Sequence, residues 1–186
     1  MGRIVVTEFV SLDGVMEAPG GEPGYRHSGW VTDYMGADEG HYKLGEVREA
    51  HAHLLGRVTY ESFAGAWPER TGEFADKVNA MPKYVVSRTL REVAWQNSHL
   101  IRGDVADEIG QLKRRTDGVL LVAGSRMLVH ALLEHSLVDE LRLMVFPIVL
   151  GSGRRLFPET PRKTALRLVD LHRFNSGVIV EAYVPA

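Results

Sequence analysis

The chain has 186 residues, of which 45% are hydrophobic and 25% are charged, and its formal net charge is −2. This size predicts one domain, residues 1–186, with a substantial core, and the near-neutral charge gives no basic surface typical of proteins with nucleic-acid partners. The absence of cysteine excludes disulfides and thiolate metal ligands and fits a cytoplasmic protein, and no apolar run approaches the roughly 20 residues that span a membrane.

The first half of the chain begins with a strand and continues with a long loop. Residues 3–10 are mainly β-branched and aromatic, which favours a strand, and Ser11 to Gly14 predicts a turn. Residues 17–34 predict a functional or mobile loop, whose Trp30 and Tyr34 could close over a substrate. The next predicted elements are a helix from its cap Asp38 to about residue 52, a strand at 53–55, a turn at Gly56-Arg57, a helix from Thr59 to about residue 64 and an irregular segment at 65–72.

The second half alternates strands and helices and then ends in a hairpin. The alternation is typical of right-handed βαβ units with a parallel sheet. Asn175-Ser176-Gly177 is a hairpin turn signal between two strand-like segments. The sequence therefore predicts an α/β fold with a mostly parallel sheet that finishes in an antiparallel pair. The predicted elements are strands at 84–87, near 98–101, at 119–123, 138–145, 165–173 and 178–184, and helices that start at the caps Asp104 and Ser125.

Three predicted strand ends carry residues that suit a phosphate. Gly56, Arg57 and Thr59 lie at a helix start, where free N–H groups and the positive end of the helix dipole favour an anion. Gly124-Ser125 opens a later helix, and Ser87-Arg88 could hold the 2′-phosphate that separates NADP from NAD. Each has an ordinary alternative, namely a threonine cap, a tight turn or an exposed loop arginine, and no G-x-G-x-x-G motif supports a standard Rossmann site.

A fourth segment, residues 146–153, leaves an apolar strand and contains Gly151 and Gly153. It could form the wall against which a flat nicotinamide ring lies. The alternative is a glycine loop that packs on the sheet without a ligand.

In combination and order these segments resemble a known family. The run from Gly56 to Ser62 resembles the pyrophosphate-binding helix start of dihydrofolate reductases. Four other segments look more like the C-terminal reductase domain of the bifunctional riboflavin-biosynthesis deaminase–reductase: residues 11–14, 123–125, 137–141 and 147–153. The resemblance spans roughly residues 3 to 184. It implies a three-layer dihydrofolate reductase-like fold with an eight-stranded mixed sheet between helices on both faces, NADPH as cofactor, and a homodimer.

The resemblance also implies cofactor contacts at matching positions. Pyrophosphate and 2′-phosphate contacts are implied for Gly56, Arg57, Thr59, Ser87, Arg88, Gly124, Ser125, Arg126 and Met127. Positions near the nicotinamide are implied for Val10, Ser11, Asp13, Gly14, Ile148, Leu150 and Gly151.

The sequence differs from these two families at positions that bear on which substrate is bound. The riboflavin reductase usually has a lysine shortly before its Ser-Leu-Asp-Gly, whereas residues 7–10 here read Thr-Glu-Phe-Val. The buried carboxylate with which dihydrofolate reductase holds its pterin falls near Asp38 or Glu39, but the surrounding pattern differs. The predicted function is therefore an NADPH-dependent reductase that passes a hydride to a small organic substrate, with heterocycles among the candidates.

Catalytic roles are less defined than cofactor contacts. Asp13, Asp38 and Tyr42 are candidate proton donors, although Asp13 could simply form an Asp-Gly turn and Asp38 could simply cap a helix. His51 and His53 form an H-x-H pair, but the simpler interpretation of His51 is a partner of a helix C-terminus, and no metal is expected. Two rival hypotheses are a non-catalytic NADP(H)-binding or sensing module and a purely structural dimer.

Overall fold

The structure is a computed structural model that describes residues 1–157, 159 and 163–186. Within these residues the chain forms eight strands and five helices. In chain order they are β1 (Arg3–Ser11), α1 (Ala37–Glu49), β2 (Ala50–Gly56), α2 (Arg57–Ala66), α3 (Glu73–Ala80), β3 (Lys83–Val86), β4 (Ser98–Ile101), α4 (Val105–Arg115), β5 (Val119–Ala123), α5 (Arg126–Glu134), β6 (Glu140–Phe146), β7 (Leu166–Arg173) and β8 (Ile179–Pro185).

The strands form one mixed sheet in the order β4-β3-β2-β5-β1-β6-β8-β7. Strand β2 pairs in parallel with β3 and β5, and β3 pairs in parallel with β4. Strand β8 pairs antiparallel with both β6 and β7. The predicted fold class, a mostly parallel sheet that ends in an antiparallel hairpin, is confirmed.

The chain divides into two compact units, each built from two segments. Unit 1 comprises residues 1–6 and 43–139, and unit 2 comprises residues 7–42 and 140–186. The expectation that residues 1–186 form one domain stays a prediction.

Unit 1 holds the parallel strands. Strand β5 is a continuous apolar run whose Leu120 and Val122 are fully buried, as expected for a strand that is covered on both faces. One core cluster gathers Leu55, Val85 and Trp95 beneath α2 and α3. Because β2, β3 and β5 run in parallel, their carboxyl ends emerge at one edge of the sheet.

Unit 2 is centred on an aromatic core. Phe146 at the end of β6 is fully buried, and it makes edge-to-face contacts with Phe9, Trp30 and Tyr34. The loop predicted at residues 17–34 consists of turns, but it is anchored, because the Trp30 indole N–H donates to the Glu17 carbonyl at 2.9 Å. Trp30 is therefore a core residue of this unit.

Several predicted boundaries were wrong. Helix α1 ends at Glu49 rather than near residue 52, because Ala50 already pairs with Val119 of β5. Helix α2 follows β2 with no residue between them: Gly56 ends the strand and is itself the helix N-cap, so Thr59 is not the cap. Helix α3 lies in a stretch for which the sequence predicts no element, and it buries only Ala75 and Val78.

The predicted cap of α1 was also wrong. The helix starts at Ala37, which places Asp38 inside its first turn. The carboxylate that serves the helix start is Glu39, whose Oε2 accepts a hydrogen bond from the Gly36 backbone N–H at 2.9 Å. This contact is half of a capping box, in which an acidic side chain reaches back to the N-cap backbone.

Candidate cofactor-binding site

Two strand-to-helix turns of unit 1 contact each other directly. The backbone N–H of Gly56, at the start of α2, donates to Ser125 Oγ at 2.7 Å. Ser125 adopts a left-handed conformation with φ of 73°, and its side chain makes no capping hydrogen bond to α5. The prediction that Ser125 caps its helix through its side chain was therefore wrong, because the hydroxyl instead ties the two turns together.

The close approach of these turns requires glycine at two positions. A Cβ atom on Gly56 would lie 2.7 Å from the Ser125 side chain, and a Cβ atom on Gly124 would lie 2.9 Å from Thr59 Oγ1. Gly124 also has a φ of +84°, which an L side chain rarely adopts. The structure thus brings Gly56, Thr59, Gly124 and Ser125 together, as the sequence predicts.

Helices α2 and α5 share an unusual N-terminus. Neither has a side-chain cap or an acidic residue in its first turn, and each begins with an arginine, Arg57 or Arg126. By contrast, α4 is capped by Asp104, which accepts hydrogen bonds from two backbone N–H groups, and α1 and α3 carry acidic residues in their first turns. A positive helix end that carries a cation and no acid is suited to an external anion.

The neighbouring strand adds a hydroxyl and a further cation. Val86 of β3 pairs with Gly56 of β2, so Ser87 follows at the same edge of the sheet. The Ser87 side chain accepts hydrogen bonds from the backbone N–H groups of Thr89 and Leu90, at 3.2 and 3.0 Å. Arg88 is exposed, and no hydrogen bond or ion pair engages its side chain among the residues that the structure describes.

The other two arginines have local contacts. Arg57 forms an ion pair with Glu61 at 3.0 Å, in which both side chains are about half exposed. Arg126 contacts the sulfur of Met127, whose side chain is 69% exposed. Arg88 is thus the cation of this group most available to an added anion.

In unit 2, the predicted nicotinamide residues surround a carboxylate. Asp13 accepts hydrogen bonds from Ser11 Oγ at 2.7 Å, the Leu150 N–H at 3.1 Å and the Gly151 N–H at 3.0 Å. The Ser11 hydroxyl above all, with help from the two backbone N–H groups, holds the pKa of Asp13 below its usual value. Asp13 is therefore ionised at neutral pH, which favours the turn-forming role of Asp13 over the role of proton donor.

The apolar side chains that face outward here differ from those that the sequence singles out. Val10 and Leu150 are buried, and Ile148 is half-buried. The exposed apolar side chains are Leu12 at 66% and Val149 at 65%, on segments joined by a 2.8 Å hydrogen bond from the Leu12 N–H to the Ile148 carbonyl. No hydrophobic alternation marks Val149 as exposed, because residues 148–150 are all apolar. Gly14 and Gly151 both have positive φ, at 80° and 73°.

The remaining proton-donor candidates lie at the start of α1. A shallow cavity of about 270 Å³ is lined by residues 33–39 together with Asn175 and Ser176. Asp38 is exposed on this cavity, whereas Glu39 is 3% exposed and accepts a 2.5 Å hydrogen bond from Ser176 Oγ. Burial raises the pKa of Glu39, but the hydrogen bonds from Ser176 and the backbone outweigh burial and leave that pKa lowered.

Tyr42 contacts two aromatic side chains of unit 2. Its ring makes an edge-to-face contact with Phe174 and a stacked contact with His172. It does not line the cavity at the start of α1.

The H-x-H pair does not form part of a metal cluster. Among the described residues, no three His, Cys, Asp or Glu side chains are placed to hold a metal ion. His51 is exposed at the start of β2, rather than at the helix C-terminus that the sequence predicts, and His53 is buried. In the described part of the chain, no helix has both the length and the apolar character needed to cross a membrane.

Comparison with known proteins agrees with the family that the sequence resembles. A model of the RibD C-terminal domain family matches residues 3–180. The Bacillus subtilis (strain 168) protein YyaP is 28% identical over 186 residues, which cover 97% of this chain and 94% of that protein.

Two solved structures share the fold. A putative riboflavin biosynthesis protein from Shewanella sp. PV-4 superposes with a TM-score of 0.78 at 20% identity, over 99% of both chains. A dihydrofolate reductase from Enterococcus faecalis, solved with NADP(H), gives a TM-score of 0.63 at 15% identity over 98% of this chain and 96% of that one. The family and the fold that the sequence predicts are confirmed.

Proposed function

The chain belongs to the RibD C-terminal domain family, and from this premise we propose that it is an NADPH-dependent reductase of the riboflavin-pathway type. The proposed substrate is a small organic molecule that accepts a hydride. The family and its reductase fold support the reaction class, and the residues at the sheet edge support the cofactor.

One observation carries the proposal. Helices α2 and α5 start side by side, tied by the Gly56–Ser125 hydrogen bond, and both present uncapped N–H groups with an arginine at the first position. The first N–H groups of a helix have no intrahelical partner, so two such ends together form a donor set for a pyrophosphate. A side-chain cap stabilises a helix start without any ligand, as Asp104 does for α4, whereas Gly56 has no side chain to cap α2 and the Ser125 hydroxyl does not cap α5.

The other residues supply complementary functions in this proposal. Arg88, free of any described ion-pair partner, would bind the 2′-phosphate and so select NADPH over NADH. Ser87, at the end of the neighbouring strand β3, would lie beside this phosphate. NADPH, when bound, supplies the hydride, and the protein supplies position and a dry environment.

The proposal is tested by titrating NADPH and NADH into the wild-type protein and into the Arg88→Ala variant, with tryptophan fluorescence as the signal. We expect NADPH to bind at micromolar concentration and Arg88→Ala to weaken NADPH about tenfold, while NADH changes less than twofold, because only NADPH carries the 2′-phosphate. Arg114→Ala, an exposed arginine in the last turn of α4, is the matched control and should change neither affinity.

Absence of NADPH binding, or an equal loss of NADPH and NADH in Arg88→Ala, would contradict the cofactor assignment. Oxidation of NADPH should then be followed at 340 nm with a panel of heterocyclic and carbonyl acceptors. Binding without turnover of any acceptor would favour a sensing module over a reductase. The expected homodimer stays a prediction, which sedimentation velocity of the free protein tests.

A further inference from the structure

The two outermost strands of the sheet, β4 and β7, differ in the side chains that they expose. Strand β4 has only four residues, and its Leu100 is half-buried and its Ile101 buried. Strand β7 has eight residues, and Leu168, Val169 and Leu171 are 48%, 45% and 58% exposed. It is the last strand in the sheet order, so among the described residues no strand pairs with its outer edge. A long edge strand with apolar side chains is a surface on which another strand can pair.

A bulge in β7 places its two exposed leucines on one face of the sheet. The pairing with β8 is interrupted at Val169, which has no partner residue there. On either side of the bulge, Leu168 lies opposite Tyr183 and Leu171 lies opposite Glu181. Tyr183 and Glu181 share a face, since the Tyr183 hydroxyl donates to Glu181 Oε2 at 2.8 Å. Residues opposite each other in an antiparallel pair also share a face, so the two leucines, three positions apart, lie together.

The other face of β7 lies on the core of unit 2. There His172 is opposite Val180 of β8, which is a buried core residue, and the His172 ring stacks on Tyr42 of α1. The face that carries Leu168 and Leu171 is therefore the one turned away from this core. Apolar side chains grouped on such a face are typical of an interaction surface.

The charged residues of β7 complement a second copy of the same strand. Asp170 is the only acidic residue of β7, and Arg167 and Arg173 lie three positions before and after it. All three side chains are exposed, and none has a hydrogen bond or ion pair within the part of the chain that the structure describes. If two copies of β7 lie antiparallel about a twofold axis between Leu168 and Val169, the Arg167 of each copy is opposite the Asp170 of the other.

We propose that β7 forms the interface of a homodimer, in which it pairs antiparallel with β7 of a second copy. The twofold axis makes the two surfaces identical, so one contact covers the exposed edge of both copies. In the register given by the charges, Leu166 is opposite Leu171 and Leu168 is opposite Val169, which removes apolar surface from water. The proposal names the surface of the expected homodimer, and it does not depend on NADPH as cofactor.

The test measures sedimentation velocity of two charge variants in the absence of cofactor. The wild-type protein should sediment as a dimer at about 100 µM, and Asp170→Arg and Arg167→Asp should each weaken the dimer at least about tenfold, because each places like charges opposite each other. An equimolar mixture of the two variants should regain the dimer, since one chain then carries two acidic and the other two basic residues at positions 167 and 170. Glu134→Arg, at an exposed acid in the last turn of α5, is the matched control and should leave the dimer unchanged.

Leu171→Arg tests the apolar part of the interface and should also weaken the dimer at least about tenfold, because two leucines leave it and two charges enter it. A wild-type protein that sediments as a monomer, or a dimer that none of these variants weakens, overturns the proposal. A mixture of the two charge variants that stays monomeric contradicts the antiparallel pairing. A monomeric wild-type protein that binds NADPH would contradict this interface alone, whereas a β7 dimer that binds no NADPH would contradict only the proposed function.

Discussion

At the scale of single residues, two adjacent positions set the geometry of the junction between β5 and α5. Gly124 and Ser125 both have positive φ, at 84° and 73°. The sequence indicates the glycine, since a tight turn between strand and helix needs one, but it predicts Ser125 as an ordinary cap. A serine in the left-handed region is uncommon, and here the 2.7 Å hydrogen bond from the Gly56 N–H offsets its cost.

Gly124→Ala should destabilise the protein. The added methyl group forces a positive φ on an L residue, which costs roughly 1–2 kcal/mol, and it would lie 2.9 Å from Thr59 Oγ1. Chemical denaturation should therefore show a free energy of unfolding lower by more than about 1 kcal/mol. Gly110→Ala, inside α4 with only ordinary contacts near the new atom, should instead stabilise by about 0.5–1 kcal/mol. Equal effects of the two substitutions would contradict the described backbone conformation.

At the scale of elements, the sequence predicts those helices and strands whose patterns lie within a few neighbouring residues. Strand β5 is a run of five apolar residues, and α4 starts at an aspartate that caps it as predicted. Helix α3 was not predictable in this way, because it is eight residues long and buries only two. The boundary between α1 and β2 depends on pairing of Ala50 with Val119, 69 positions later, and no local pattern records that contact.

Helices α2 and α5 show the same division between local and long-range signals. The sequence reveals that α2 and α5 lack acidic residues in their first turns and begin with arginine. It does not reveal that the Ser125 hydroxyl accepts a hydrogen bond from the Gly56 N–H rather than from a backbone N–H of its own helix. The candidate site was therefore predictable in its residue types, but not in which groups remain free to bind an anion.

At the scale of the whole molecule, the fold class and the family agree with the sequence, whereas the long-range hydrogen bonds do not follow from it. Asp13 and Gly151 are 138 positions apart, and the carboxylate role of Asp13 becomes visible only when both are in place. The proposed function rests on the family and on the donor groups at the sheet edge.

Stability should depend on pH through His53. This side chain is 2% exposed, and neither ring nitrogen has a hydrogen-bond partner among the described residues. Burial, reinforced by the charges of Lys83 and Lys43, lowers the pKa of His53 from 6.5 to about 4. Between these two pH values His53 is protonated in the unfolded chain but neutral in the folded protein. The free energy of unfolding should therefore fall by up to about 3 kcal/mol as the pH drops from 6.5 towards 4.

The check is denaturation of His53→Leu across this pH range. The variant should lose that part of the pH dependence, while His51→Leu, at an exposed position of the same strand, should keep it. If the free energy of unfolding of His53→Leu depends on pH as steeply as that of the wild-type protein, groups other than His53 cause the pH dependence.

The most direct test of the central claim is a titration of NADPH followed by the backbone amide resonances of the helix starts. If the uncapped ends of α2 and α5 bind the pyrophosphate, the amides of Arg57, Val58, Arg126 and Met127 should shift in a saturable manner. The amides of Glu73 and Phe74, in the acidic first turn of α3, should not move. Saturable NADPH binding that leaves all four helix-start amides unchanged would contradict the account.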